Sequence, residues 1–305
     1  MKKALLLALL IFSLKSSAQC ACCAGAGIGS SNADYNNGIL TLSKKQWIAE
    51  TYADYRTVKN GDAITEDEEL LRSMLINSIG LRYGITDKLT ISALIPYITL
   101  NTNMGNDSGL GDLILMGTFS AITKNNFNLA VQLGTELPTG IQKDSNFDNS
   151  TIVVGSGSVD PIAGIIFSKT WQKITVQGNA FYKYTTPGFH GNYYGSLAVH
   201  NLSVSYKIKK GGSFCSTSDT DNKQTSNLGI SIFTGYNGEW LDKLKEDDVI
   251  DENSGYYIGF LNLGTNLSFK KWSLPITVSL PLVHQMNGNQ NAAGYRLRIG
   301  LIRTF

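Results

Sequence analysis

The feature that most narrows what this chain can become is a period-two alternation of apolar and polar residues, carried for roughly ten to fifteen residues at a time. In "KWSLPITVSLPL", Trp272, Leu274, Ile276, Val278, Leu280 and Leu282 fall on one face of an extended strand, and Ser273, Pro275, Thr277, Ser279 and Pro281 fall on the other. "FNLAVQLGTEL" sets Phe127, Leu129, Val131, Leu133 and Leu137 against Asn128, Gln132 and Glu136. "GYRLRIGLIRTF" sets Tyr295, Leu297, Ile299, Leu301 and Phe305 against Arg296, Arg298 and Thr304. Successive side chains of a strand point to opposite faces of its sheet, so one face suits lipid and the other a polar lumen.

After the N-terminal segment no apolar run approaches the roughly 20 residues of a membrane-spanning helix, and helical periodicity is scarce. Twelve strands are predicted, near 39–56, 70–84, 87–99, 110–122, 125–138, 157–170, 172–185, 193–207, 226–238, 255–269, 271–283 and 292–305. A soluble β-sandwich also alternates, but its strands average only about five or six residues. Aromatic residues gather near the strand ends, at Tyr83, Tyr97, Trp171, Tyr184, Tyr236, Tyr257 and Trp272, as the girdles of a membrane barrel do. The expected fold is therefore all-β, a transmembrane antiparallel up-and-down β-barrel of about 12 strands over residues 39–305. It is expected in the cell outer membrane as a monomer, with outer-membrane lipid around it.

Residues 1–18, "MKKALLLALLIFSLKSSA", combine a basic start, a short apolar stretch and small residues at Ser16 and Ala18, and read as a signal peptide cleaved before Gln19. Residues 19–38, "QCACCAGAGIGSSNADYNNG", are expected to form a Cys-rich periplasmic segment or a partial plug. The terminal Phe305, closing an alternating strand, is similar to the C-terminal signal of bacterial outer-membrane barrels. If that strand ends in the periplasm, the short connections "GITDK", "TKNN", "TWQK" and "KK" are periplasmic, and the long ones near 57–69, 139–156 and 239–254 are external. One long connection, 208–225, breaks this pattern by falling on the periplasmic side, and it carries Cys215.

Cys20, Cys22 and Cys23 would share a compartment with Cys215. In an oxidising periplasm such thiols pair as disulfides, or they hold a soft metal such as Cu(I) or Zn. Adjacent Cys22 and Cys23 lack the two-residue gap of common zinc sites. No other cofactor is expected.

The formal charge of +2 includes Lys2, Lys3 and Lys15, so the remainder is close to neutral and no nucleic-acid partner is expected. The three histidines, His190, His200 and His284, sit in no catalytic motif, and the protein is read as a non-enzyme. The acidic stretches at 60–69 and 244–252 lack the spacing of a calcium loop and read as solvated external loops. An adhesive or structural role for those loops is the alternative to transport.

"LIPY" at Leu94–Tyr97, "GLGD" at Gly109–Asp112, "GTELPTG" at Gly134–Gly140 and "GSGSVDP" at Gly155–Pro161 resemble the family named for a meta-pathway of phenol degradation. Its members are outer-membrane barrels described as transporters. The resemblance implies passage of a small-molecule solute, with hydrophobic molecules a candidate class. Asp112, Glu136 and Asp160 are placed in the lumen opposite Arg72, Arg82, Lys183, Arg296 and Arg298. They would form either a salt-bridge network that fills the interior or a filter that selects solutes. Twelve strands enclose less space than the 16–18 of open porins, so a narrow or plugged channel is expected rather than a wide pore.

Overall fold

Asn125 and Asn126 hold φ angles of 53° and 59°, the left-handed pair that a two-residue type I′ hairpin requires. That hairpin is one of four two-residue connections, at 87–88, 125–126, 172–173 and 270–271, that line one rim of the structure. The computed structural model describes residues 40–59, 71–103, 105–140, 142–144, 151–209, 228–246, 248–288 and 290–305. The signal segment, residues 19–38 and all four cysteines lie outside them.

Twelve long strands follow one another in the order the alternation predicts. They are β1 Trp47–Lys59, β2 Leu71–Thr86, β3 Leu89–Thr102, β4 Leu113–Lys124, β5 Phe127–Leu137 and β6 Asp160–Trp171. The second half is β7 Ile174–Lys183, β8 Leu197–Lys209, β9 Gly229–Leu241, β10 Tyr256–Phe269, β11 Trp272–Met286 and β12 Ala292–Thr304. Each pairs antiparallel with its sequence neighbour, and β1 pairs with β12 through Glu50↔Ile302 and Asp54↔Arg298. The sheet is thereby closed into a barrel.

Breaks in the regular ladder on β4 and β11 shape this wall. A short strand, Asn106–Leu110, continues β4 upward along β3, and the break between them falls at Gly111 and Asp112. On β11, Pro275 and Pro281 face inward and lack N–H donors, and the β11–β12 ladder lapses after Ser273↔Ile302 and ends at Ser279↔Arg296. Leu282 is the extra residue of a bulge opposite Gly259 and Phe260.

Exposure follows the alternation. Ile79, Leu133, Ile165, Leu202, Ile232, Leu263, Leu280 and Ile299 point outward and are exposed, while their strand neighbours turn inward and are buried or half-buried. At the short-turn rim the outward aromatics carry cations: Lys169 lies 5.7 Å from the Trp171 ring, and Arg303 lies 5.0 Å and 4.6 Å from the rings of Trp272 and Phe305. This is an apolar band bounded by aromatic residues, the surface of an outer-membrane barrel. Short turns mark its periplasmic rim, where Phe305 N–H also bonds Trp47 O.

The first strand begins later than the sequence pattern suggests, because residues 40–46 do not join the wall. Lys45, with φ 68°, turns the chain at the periplasmic rim, and Leu42 N–H donates to Thr90 Oγ1 at 2.8 Å. Leu42 is buried against Ile48, Tyr52 and Ile302, and Leu40 against Leu94, Ile114, Ala130, Ile162, Ile166 and Phe181. All of these strand residues face inward, so Leu40 lies inside the barrel.

The hairpin geometry makes a direct test. Asn126→Gly should leave stability unchanged, whereas Asn126→Val should cost about 1–2 kcal/mol through its left-handed backbone. Urea unfolding in detergent measures both. The folded protein should also migrate faster on a gel before boiling than after it.

Candidate functional site in the barrel lumen

The interior of a barrel in lipid has to satisfy its own polar groups, and here five inward carboxylates meet five cations. Arg82 grips Glu50 with two bonds, Nη2 to Oε2 at 2.6 Å and Nε to Oε1 at 3.2 Å. Asp54 accepts from Arg56 at 3.0 Å and from Arg298 at 2.5 Å. Arg296 forks onto Glu239 at 2.6 and 2.9 Å while its guanidinium lies 3.9 Å from the Phe260 ring centre. Lys183 reaches Glu136 at 2.9 Å and Asp160 at 3.5 Å. These side chains are nearly all buried, where an unpaired charge costs several kcal/mol.

The charges named from sequence are thus divided among separate clusters. Arg82, Arg296 and Arg298 lie in three of them, and Glu136, Asp160 and Lys183 together form a fourth. Arg72 stands apart: a register shift between Leu71 and Ser73 breaks the alternation, and Arg72 is exposed at the start of β2. The partners Glu50, Asp54, Arg56 and Glu239 were not singled out beforehand. Their signal was available, since Ile48, Glu50, Tyr52, Asp54 and Arg56 share one parity along β1.

Asp112 bonds backbone rather than cations. Its Oδ1 accepts from Gly140 N–H at 2.8 Å, and its Oδ2 accepts from Ser156 N–H at 2.6 Å and Ser156 Oγ–H at 2.7 Å. Gly140 and Gly155 abut so closely that a Cβ on Gly140 would lie 2.9 Å from Gly155 N. Gly111 N–H donates to Pro96 O at 2.9 Å. The segments "LIPY", "GLGD", "GTELPTG" and "GSGSVDP" therefore converge on one place, the outer end of β3 to β6. Val154, just before this knot, is buried against Met74, Ile76 and Ile98 in the mouth of the barrel.

The lumen is consequently narrowed from both ends, by Leu40 and Leu42 from the periplasmic rim and by Val154–Ser158 from the outer one. The histidines lie elsewhere. His200 faces outward beside the rings of Tyr236 and Tyr257, and His190 lies in the loop turn Phe189–Gly191. His284, just outside the strand predicted over 271–283, lies on β11, and its Nε2 meets Ala293 O at 2.9 Å. Among the described residues no cluster of three or more His, Cys, Asp or Glu side chains is placed to hold a metal ion.

The COG4313 outer membrane channel from Pseudomonas putida F1 aligns over 88% of this chain and 98% of its own, at 17% identity, with a TM-score of 0.66. At that identity the likeness is one of fold. The NanC porin aligns more loosely, at 12% identity over 84% of this chain and 98% of its own, with a TM-score of 0.45. The CymD monoaromatic hydrocarbon channel gives 8% identity over 92% and 93%, with a TM-score of 0.42. No curated protein matches the sequence. The model of the family described as "Putative MetA-pathway of phenol degradation" matches residues 68–280, more than half of the chain and including all four convergent motifs, and the chain belongs to that family.

Proposed function

We propose that the protein is an outer-membrane channel for small, hydrophobic solutes, narrowed by its own N-terminal segment. The observation that carries this reading is a closed barrel whose inward carboxylates and cations gather into small clusters beside apolar patches. An interior of that kind offers little to a charged solute, because Glu50, Asp54, Glu136, Asp160 and Glu239 are each met by a cation and Asp112 is held by backbone N–H groups. The family's association with phenol degradation and the likeness of fold to an outer-membrane channel support the same reading.

The burial of Leu40 inside the barrel favours a partial plug over a free periplasmic tail as the reading of residues 19–38. The anchor of this segment is specific: Lys45 N–H donates to Gly84 O at 2.8 Å, and Gly84 N–H to Gln46 O at 3.0 Å. A Cβ on Gly84 would meet the backbone of Ser43 and come within 3.1 Å of Leu42 O.

In planar bilayers the wild type should give a small conductance, and Gly84→Val should raise it several-fold by prising residues 40–46 from the wall. Equal conductance in the two would remove the plug, and no conductance or solute uptake in either would favour an adhesive or structural barrel. Lys183→Met leaves Glu136 and Asp160 without their cation, so the reversal potential in a salt gradient should move toward cation selectivity. Lys183→Met combined with Glu136→Gln should move it back.

The cysteines make a further part of the proposal. Connection 210–228 leaves and re-enters at the same rim as residues 43–46, which supports pairing of Cys215 with one of Cys20, Cys22 or Cys23. Thiol labelling should find fewer reactive groups before reduction than after it. Four reactive thiols without reduction, and no bound copper or zinc, would remove both the disulfide and the metal site.

A further inference from the structure

The inward face of β7 to β10 carries a band of uncharged hydrogen-bonding side chains, and one of them, Asn237, supports an ion pair by donating from Nδ2 to Glu239 Oε1 at 3.1 Å. Asn179 on β7, Asn201 on β8 and Asn237 on β9 are direct register partners in sequence across the three strands. One step toward the periplasm, Gln177, Ser203, Gly235 and Asn262 make the next row across four strands. Asn179, Asn201, Gln177, Ser203 and Asn262 are each more than nine-tenths buried. Yet among the described residues Asn179 Oδ1, Ser203 Oγ and Asn262 Oδ1 have no hydrogen-bond partner. Neighbouring strands lie about 4.8 Å apart, so the three orphaned atoms spread over roughly 10–15 Å of wall.

The opposite wall differs in kind. In a ring of twelve, the strands six places from β8 and β9 are β2 and β3. Their inward residues at the corresponding height, four or five positions from the outer end, are Ile76 and Ile98, flanked by Met74, Leu94 and Leu100. At this level the lumen is amphipathic across its width. One side is aliphatic, and the other offers acceptor oxygens without net charge.

Resting on the channel reading above, we infer that the solute is a neutral amphiphile: an apolar body bearing a hydroxyl or N–H donor that the amide band receives. A pure hydrocarbon would leave buried oxygens unpaired, which costs about 1–3 kcal/mol per group. An anion would meet those acceptor oxygens without a free cation, since Arg296 and Lys183 are already engaged.

The test compares para-cresol with toluene, which share an apolar body and differ by one hydroxyl. Binding is measured by equilibrium dialysis against full-length protein in lipid nanodiscs, corrected for empty nanodiscs. Para-cresol should bind the protein about tenfold more tightly than toluene, the factor expected of one well-made buried hydrogen bond. Asn179→Leu combined with Asn262→Leu should abolish that preference while leaving toluene binding equal or stronger. Should that variant fail to show heat-modifiable migration, the smaller changes Ser203→Ala and Asn262→Ser should each lower the preference at least twofold. No preference in the wild type, or a preference the variants retain, overturns the inference. Solute uptake by liposomes holding the same protein separates the two levels: uptake without preference removes only the amphiphile, whereas neither uptake nor binding removes the channel reading as well.

Discussion

Every backbone N–H and C=O that crosses a bilayer must find its partner inside the protein, because lipid offers none. For a chain made of strands, that requirement means closure, and the pairing of β1 with β12 is where it is met. Closure then assigns each residue by parity alone. The outward half of every strand meets lipid and has to be apolar. The inward half is enclosed by twelve strands, too many for side chains to fill a solid core and too few for a wide aqueous pore.

The enclosed space explains the arrangement of charge. A lone carboxylate in such an interior would be costly, yet the strands carry Glu50, Asp54, Glu136, Asp160 and Glu239 on their inward faces. Pairing each with Arg or Lys from its own or another strand removes that cost and ties the wall across its own curvature. Glu50 illustrates the steric side of the same solution: Gly80 lies directly across the ladder, and a Cβ there would collide with the Glu50 side chain that Arg82 grips. The glycine keeps the space that the ion pair fills.

The alternation made the fold legible, because parity in a strand is decided residue by residue and requires no knowledge of distant partners. All twelve strands stand close to where the pattern sets them. Tertiary facts were less legible. The pairing of Arg298 with Asp54 spans 244 positions, and the strand count alone does not indicate which of several inward carboxylates lies within reach. Arg72 shows the limit of parity itself: one bulge between Leu71 and Ser73 suffices to move a side chain from the expected face. Residues 40–46 show another limit, because "LTLSKKQ" alternates well enough to extend β1, and only the contacts of Leu40 and Leu42 within the lumen distinguish a re-entrant segment from a strand.

The motifs shared with the family have a physical meaning that their sequence spacing conceals. Gly111 and Asp112 interrupt the fourth stave, and the interruption lets consecutive residues both turn inward, which an unbroken strand forbids. Asp112 then holds two external loops by their N–H groups, and the abutting Gly140 and Gly155 allow those loops to meet. The mouth is thus fastened by neutral and singly charged hydrogen bonds to backbone, while the wall below is fastened by ion pairs. With charges consumed by structure at both levels, the groups left to discriminate among solutes are the uncharged ones: the aliphatic residues of β2 and β3, and the amides of β7 to β10 that face them.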